Sequence, residues 1–123
     1  MTPREFETQA REIMSAHFGS KLSESLVDGV PKRFDYVSQD GSIVGDAKYY
    51  TMVGGERLPP AKFATIAEHV WLLEKSRADQ KFLVFGNDRR VPKLWLDRYG
   101  HLVTDVDFYF LEEGDSLEQL KRT

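Results

Sequence analysis

Two runs rich in aromatic and β-branched residues, Lys32–Ser38 (KRFDYVS) and Ser42–Tyr50 (SIVGDAKYY), flank Asp40-Gly41. Asp-Gly between such runs is the best β-hairpin signal a sequence offers, because both residues tolerate the positive φ of a tight turn. The middle of the chain is thereby committed to antiparallel strands. The segments on either side must then supply cover for the sheet.

The hairpin also sets a register. A two-residue turn pairs Gln39 with Ser42, and the same register puts Asp35 directly across from Asp46. Lys48, two residues beyond Asp46, emerges on the same face. Carboxylates opposed at a cross-strand spacing of about 5 Å repel one another. A cation between them would relieve this, and hard divalent ions such as Mg²⁺ take oxygen ligands. A second reading stands beside this one: a solvated strand face on which Lys48 simply neutralises Asp46. A three-residue turn with a bulge would shift the register by one and send the two carboxylates to opposite faces.

Around the hairpin the chain alternates helix and strand patterns. Thr2 to Phe18 reads as an amphipathic helix, with Thr2 as N-cap, Pro3 in the first helical position, Glu5 completing a capping box and Gly19 ending it. Phe6, Ala10, Ile13 and Met14 form its apolar stripe. Ser25–Val30 is a weak strand. Pro59-Pro60 launches a second helix, about Ala61 to Ser76, striped by Phe63, Ile66, Val70 and Leu73. Lys81–Phe85 is a short apolar strand, Val91–Tyr99 a short helix, Val103–Leu111 a strand, and Ser116–Arg122 a last helical turn. The second helix is long enough to cross back to a parallel strand. The expectation is one α/β domain over residues 1–123, an α-β-β-β-α-β core with a C-terminal α-β extension. Its mixed central sheet carries helices on both faces.

"FDYV", an Asp-Gly turn and "IVGDAKYY" together resemble the core of the PD-(D/E)XK nuclease superfamily, the restriction-endonuclease-like fold. In that family an Asp on the second core strand and an acid-x-Lys on the third form the active site. The pattern falls on Asp35 and on Asp46-Ala47-Lys48, and the element order of residues 2–85 is similar as well. Phe34 stands where the eponymous Pro would be. The resemblance implies a metal-dependent nuclease that hydrolyses phosphodiester bonds. Asp35, Asp46 and the Ala47 carbonyl would hold Mg²⁺ or Mn²⁺, and Lys48 would orient or deprotonate a water or stabilise the transition state. Many members add a Glu from the first helix. Of Glu5, Glu7 and Glu12, Glu7 lies closest to the edge of the apolar stripe and is the expected one. The alternative on the same fold is a non-catalytic binding or protein-interaction domain.

Other residues carry weaker signals. His17 reads as a boundary histidine. His69 shares a helix side with Lys62 and Ile66, where it could face a groove. Trp71 and Trp95 read as core or interface residues. Gly54-Gly55-Glu56-Arg57 lacks Walker spacing but could form a flap. Asp88-Arg89-Arg90 and Lys93 make the densest basic patch, and Asp105 and Asp107 read as charges on an exposed edge strand. Lys48, as a polar strand residue, is expected to contribute little core area.

Seventeen Lys and Arg against 20 Asp and Glu give a net charge of −3, so no basic surface announces a nucleic-acid binder. The expected partner is nevertheless nucleic acid, with DNA first. A homodimer or a separate recognition partner would supply groove contacts that 123 residues cannot. Cys is absent, which removes disulfides, thiolate zinc sites and a Cys nucleophile. No apolar leader and no membrane-length stretch is seen, so no membrane role and a cytoplasmic location are expected.

Overall fold

The computed structural model describes residues 1–52, 54, 57, 59–113 and 115–122. Its elements are α1 (Pro3–Phe18), β1 (Leu22–Val27), β2 (Val30–Ser38), β3 (Ile43–Tyr50), α2 (Pro60–Lys75), β4 (Gln80–Asn87), α3 (Arg90–Tyr99), β5 (Val106–Leu111) and β6 (Leu117–Leu120), with a 3₁₀ turn at Gly100–Leu102. The strands form one six-stranded mixed sheet in chain order. β1, β2 and β3 are antiparallel neighbours, β3, β4 and β5 run parallel, and β6 returns antiparallel.

Helices cover both faces. Phe6, Ala10 and Met14 of α1 pack on Tyr36, Ile43, Phe82 and Val84. Phe63, Ile66, Val70 and Leu73 of α2, with Val91 and Trp95 of α3, pack on Phe34, Val44, Leu83 and Phe85. Successive residues of β4 feed alternate faces, and Lys81–Gly86 is buried throughout, as befits a parallel strand covered on both sides. No helix among the described residues is long and apolar enough to cross a membrane.

The first helix has the caps expected of it. The Glu5 N–H donates to Thr2 Oγ1, the Thr2 N–H donates to Glu5 Oε1, and Gly19 closes the end at φ 67°. Elsewhere the structure corrects the sequence expectations. The weak strand Ser25–Val30 is two strands: Asp28-Gly29 is a hairpin turn, with Val27 paired to Val30 and Gly29 at φ 79°. Ser116–Arg122 is not a helical turn, because Leu117–Leu120 pairs with β5 as β6. The C-terminal extension is therefore α-β-β. Because β6 covers β5, Asp105 and Asp107 do not lie on an edge strand; Asp105 precedes β5 and pairs with Lys81 at 2.9 Å.

The central hairpin keeps the expected register by a different turn. Tyr36 pairs with Gly45 and Val37 with Val44. The connection is the four-residue loop Gln39–Ser42 rather than a two-residue turn, and the change by two residues preserves which side chains share a face. The Asp40 carboxylate accepts from Ser38 Oγ, the Ser42 N–H and Ser42 Oγ, which holds the wider loop.

Candidate active site at the parting of two strands

β2 and β3 pair at Tyr36–Gly45 and Val37–Val44 and then separate. A β-bulge marks the parting. Ser23 pairs with Val37 but Ser25 with Phe34, so Asp35 and Tyr36 together face Glu24. The bulge explains why Phe34 and Tyr36, two residues apart, pack on opposite faces of the sheet. It also re-aims Asp35 into the gap. Side chains there replace ladder bonds. The Asp35 N–H donates to Asp46 Oδ1 and the Ala47 N–H donates to Asp35 Oδ2, both at 2.9 Å.

The two aspartates sit in opposite electrostatic surroundings. Asp46 is 2 % exposed. Its Oδ2 lies 3.0 Å from Lys48 Nζ, 3.1 Å from Lys32 Nζ and 3.3 Å from His69 Nδ1. Burial alone would raise its pKa, but the His69, Lys48 and Lys32 nitrogens outweigh that and hold the carboxyl far below the usual carboxylate range. Asp35 faces acids. Its carboxylate, those of Glu7 and Glu24, and no other ligand-bearing group form a trio with one oxygen each within 4.8 Å of the others, among the described residues. Burial raises its pKa first, and the neighbouring Glu7 and Asp46 carboxylates raise it further. The expectation of two carboxylates sharing one open face therefore needs refining: they touch through the gap, with the cations gathered on Asp46 and the glutamates on Asp35.

Lys48 Nζ also contacts His69 Nδ1 from α2. Burial lowers the Lys48 pKa, with the Asp46 charge opposing. Its side chain is buried rather than marginal to the core, against the expectation for a polar strand position.

A cleft of about 340 Å³ opens over the gap, lined by Arg4, Glu7, Asp35, Ala47, Lys48, Tyr50 and Lys62 among others. Four of the five residues singled out in the sequence thus face one cavity, and the fifth, Asp46, is buried beside them. Glu7 is the α1 acid at this place; Glu5 is spent in the capping box and Glu12 is exposed. Lys62 lies over the Tyr50 ring at 4.7 Å. The donor set is one a hard divalent ion takes, an oxygen cluster in which Arg33 Nε lies 3.3 Å from Glu24, Arg11 Nη2 lies 3.9 Å from Glu7, and the Asp35 carboxylate itself faces acids. Ala47 meets Asp35 through its N–H, a contact the sequence did not suggest.

Other sequence candidates lie elsewhere. His17 packs edge-on to Phe18 and Tyr109. Trp95 is core, whereas Trp71 is 58 % exposed. Arg89 pairs with Glu112 and Glu118, and Arg90 pairs with Asp88, so the two arginines of that patch are paired with acids. Of the suggested flap, Gly55 and Glu56 lie outside the described residues. Sequence reasoning missed Glu24 and Lys32 and took His69 no further than a place facing a groove. Glu24 lies on β1 one residue before the expected strand start at Ser25. Lys32 and His69 reach Asp46 only through the folded arrangement of β2 and α2.

Comparison with protein-family models, with curated proteins and with solved structures gives no match.

Proposed function

We propose that the chain is a divalent-metal-dependent nuclease of the PD-(D/E)XK type, hydrolysing phosphodiester bonds in nucleic acid, with DNA the first substrate to test. The order α1-β1-β2-β3-α2-β4, with an antiparallel β1–β2–β3 and a parallel β3–β4, supports a restriction-endonuclease-like core. The observation that carries the reading is the convergence of Glu7, Asp35, Ala47 and Lys48 on one cleft, with Lys48 anchored on Asp46.

Asp35 and Asp46, with Glu7 beside them, would hold Mg²⁺ or Mn²⁺. Such an ion supplies an acidified water and neutralises charge on the phosphate. The chain's own residues do the rest. Asp46 fixes the Lys48 amine, which keeps an N–H for a phosphate oxygen or the attacking water. Arg4 and Lys62 line the same cleft and attract a phosphodiester backbone. Recognition beyond the cleft requires a second copy or a separate partner, and a cytoplasmic location suits a Cys-free chain.

The test is incubation with single-stranded and duplex DNA and RNA in Mn²⁺. Wild type should cleave at least one of them. Lys48→Ala and Lys48→Met should each lose about 10²-fold or more in rate. A second reading, a non-catalytic module, has one observation in its favour: Asp46 Oδ2 already meets three nitrogens. A Mn²⁺ titration that leaves the Asp35 and Asp46 signals unmoved would decide for it.

A further inference from the structure

Outside the motif residues, two side chains reach into the Asp46–Lys48 pair from other elements, Lys32 from β2 onto Asp46 alone and His69 from α2 onto both. His69 sits on α2, with 14 % of its side chain exposed. Its Nδ1 contacts Lys48 Nζ and lies 3.3 Å from Asp46 Oδ2, while its Nε2 lies 3.8 Å from Glu68 Oε1.

A ring nitrogen holds either a proton or a lone pair, and an ammonium only donates. A proton on Nδ1 would face Asp46 Oδ2 at 3.3 Å, but it would set two N–H groups against each other at the closer Lys48 contact. A bare Nδ1 instead accepts from Lys48, and the ring proton goes to Nε2, on the side where the Glu68 carboxylate attracts it. Lys48 then has two fixed acceptors, Asp46 Oδ2 and His69 Nδ1, which leaves one N–H to aim. With Asp46 alone, the amine could swing about a single contact.

We propose that His69 is a positioning residue that fixes the direction of the Lys48 amine by accepting its N–H at Nδ1. This deepens the nuclease reading, which it rests on for its consequence in catalysis, but the contact itself is testable without cleavage.

Asn places a polar atom where Nδ1 stands, whereas Gln, although larger, places one where Nε2 stands. The test is reductive methylation of the full chain, with the rate at Lys48 read by peptide mass spectrometry. His69→Ala and His69→Gln should methylate about 10-fold faster than wild type, the scale of one lost hydrogen bond to a charged group. His69→Asn should stay within about 2-fold of wild type, because its amide oxygen restores the acceptor. Simple filling of space predicts the reverse order, since Gln fills more than Asn. Protection by Gln but not Asn, or equal rates in Ala and Asn, would overturn the proposal.

A second arm measures cleavage in Mn²⁺, where His69→Ala should lower kcat about 10-fold with little change in KM, and Asn should recover most of it. If wild type cleaves nothing while the methylation order holds, the nuclease reading fails and the contact stands. If wild type cleaves and the methylation order fails, His69 has no positioning role.

Discussion

Lys48 has 5 % of its side chain exposed and lies 3.0 Å from a carboxylate that is 3 % exposed. Breaking a buried pair by removing one partner leaves the other charge unpaired, commonly at a cost of about 3–5 kcal/mol. Here Lys32 and His69 stay beside Asp46 Oδ2. Lys48→Ala should therefore destabilise the fold by about 1–3 kcal/mol, the range for an under-satisfied buried polar group. Urea denaturation at pH 7 measures it. A midpoint equal to wild type would mean that Lys32 alone neutralises Asp46. Asp35 poses the opposite problem, since its neighbours are Glu7 and Glu24. A cation that binds the folded state only adds stability, about 2.7 kcal/mol at 100 times its Kd. Mn²⁺ should thus raise the melting temperature of wild type and leave that of Asp35→Asn almost unmoved. A thermal shift retained in Asp35→Asn would place the ion elsewhere.

Turns and strand pairings show where local signals suffice and where they do not. The first helix was legible because its signals, Thr2, Pro3, Glu5 and Gly19, act within one turn of the residues they cap. The hairpin register was legible because loops of two and four residues give the same facing pairs. β6 was not legible: SLEQLKR has helical local preference, and only pairing of Leu117–Leu120 with Leu111–Phe108 makes it a strand. The bulge at Asp35–Tyr36 was equally hidden, since it depends on how β1 meets β2. Within the site, the shared face of Asp46 and Lys48 was legible in strand alternation and the place of Glu7 in helical phase; the resemblance to the nuclease motif singled out the set, and Asp35 reaches the gap only through the bulge. Lys32 was not legible, because it follows a second irregularity at Pro31, which has no N–H for the ladder. The loop between β2 and β3 has its own prediction. Three donors hold the Asp40 carboxyl down at about 2, the Ser42 N–H first, then the hydroxyls of Ser42 and Ser38. A folded-state pKa below the unfolded value contributes stability above pH 4 that is lost as pH falls through about 2. Asp40→Asn should melt a few degrees below wild type at pH 6, with the gap closing toward pH 2. A gap independent of pH would show that the charge is immaterial to the loop.

At the scale of the molecule, the site depends on how closely α1 is seated against the sheet. One glycine allows that approach: a Cβ on Gly86 would overlap the Phe6 ring of α1. Phe6 is buried and is followed by Glu7, so the seat of Phe6 on β4 fixes the depth at which Glu7 meets Asp35. The Tyr36 hydroxyl adds a second tie, donating to the Glu7 carbonyl at 2.7 Å. Lys48 borders the cleft beside Glu7, but its contacts to Asp46 and to His69 of α2 do not involve α1. Gly86→Ala should therefore separate the two halves of the site. The added methyl forces Phe6, and α1 with it, away from β4 at a cost of about 1–3 kcal/mol, the usual range for overpacking. Glu7 moves off Asp35 with the helix, and Mn²⁺ should bind more weakly. The methylation rate of Lys48 should stay at its wild-type value, because its Asp46 and His69 contacts do not run through α1. Denaturation, Mn²⁺ titration and Lys48 labelling on the one variant give three separate readings. Loss of stability with Mn²⁺ affinity unchanged would remove Glu7 from the ion site. A rise in Lys48 labelling would show that the two halves of the site move together.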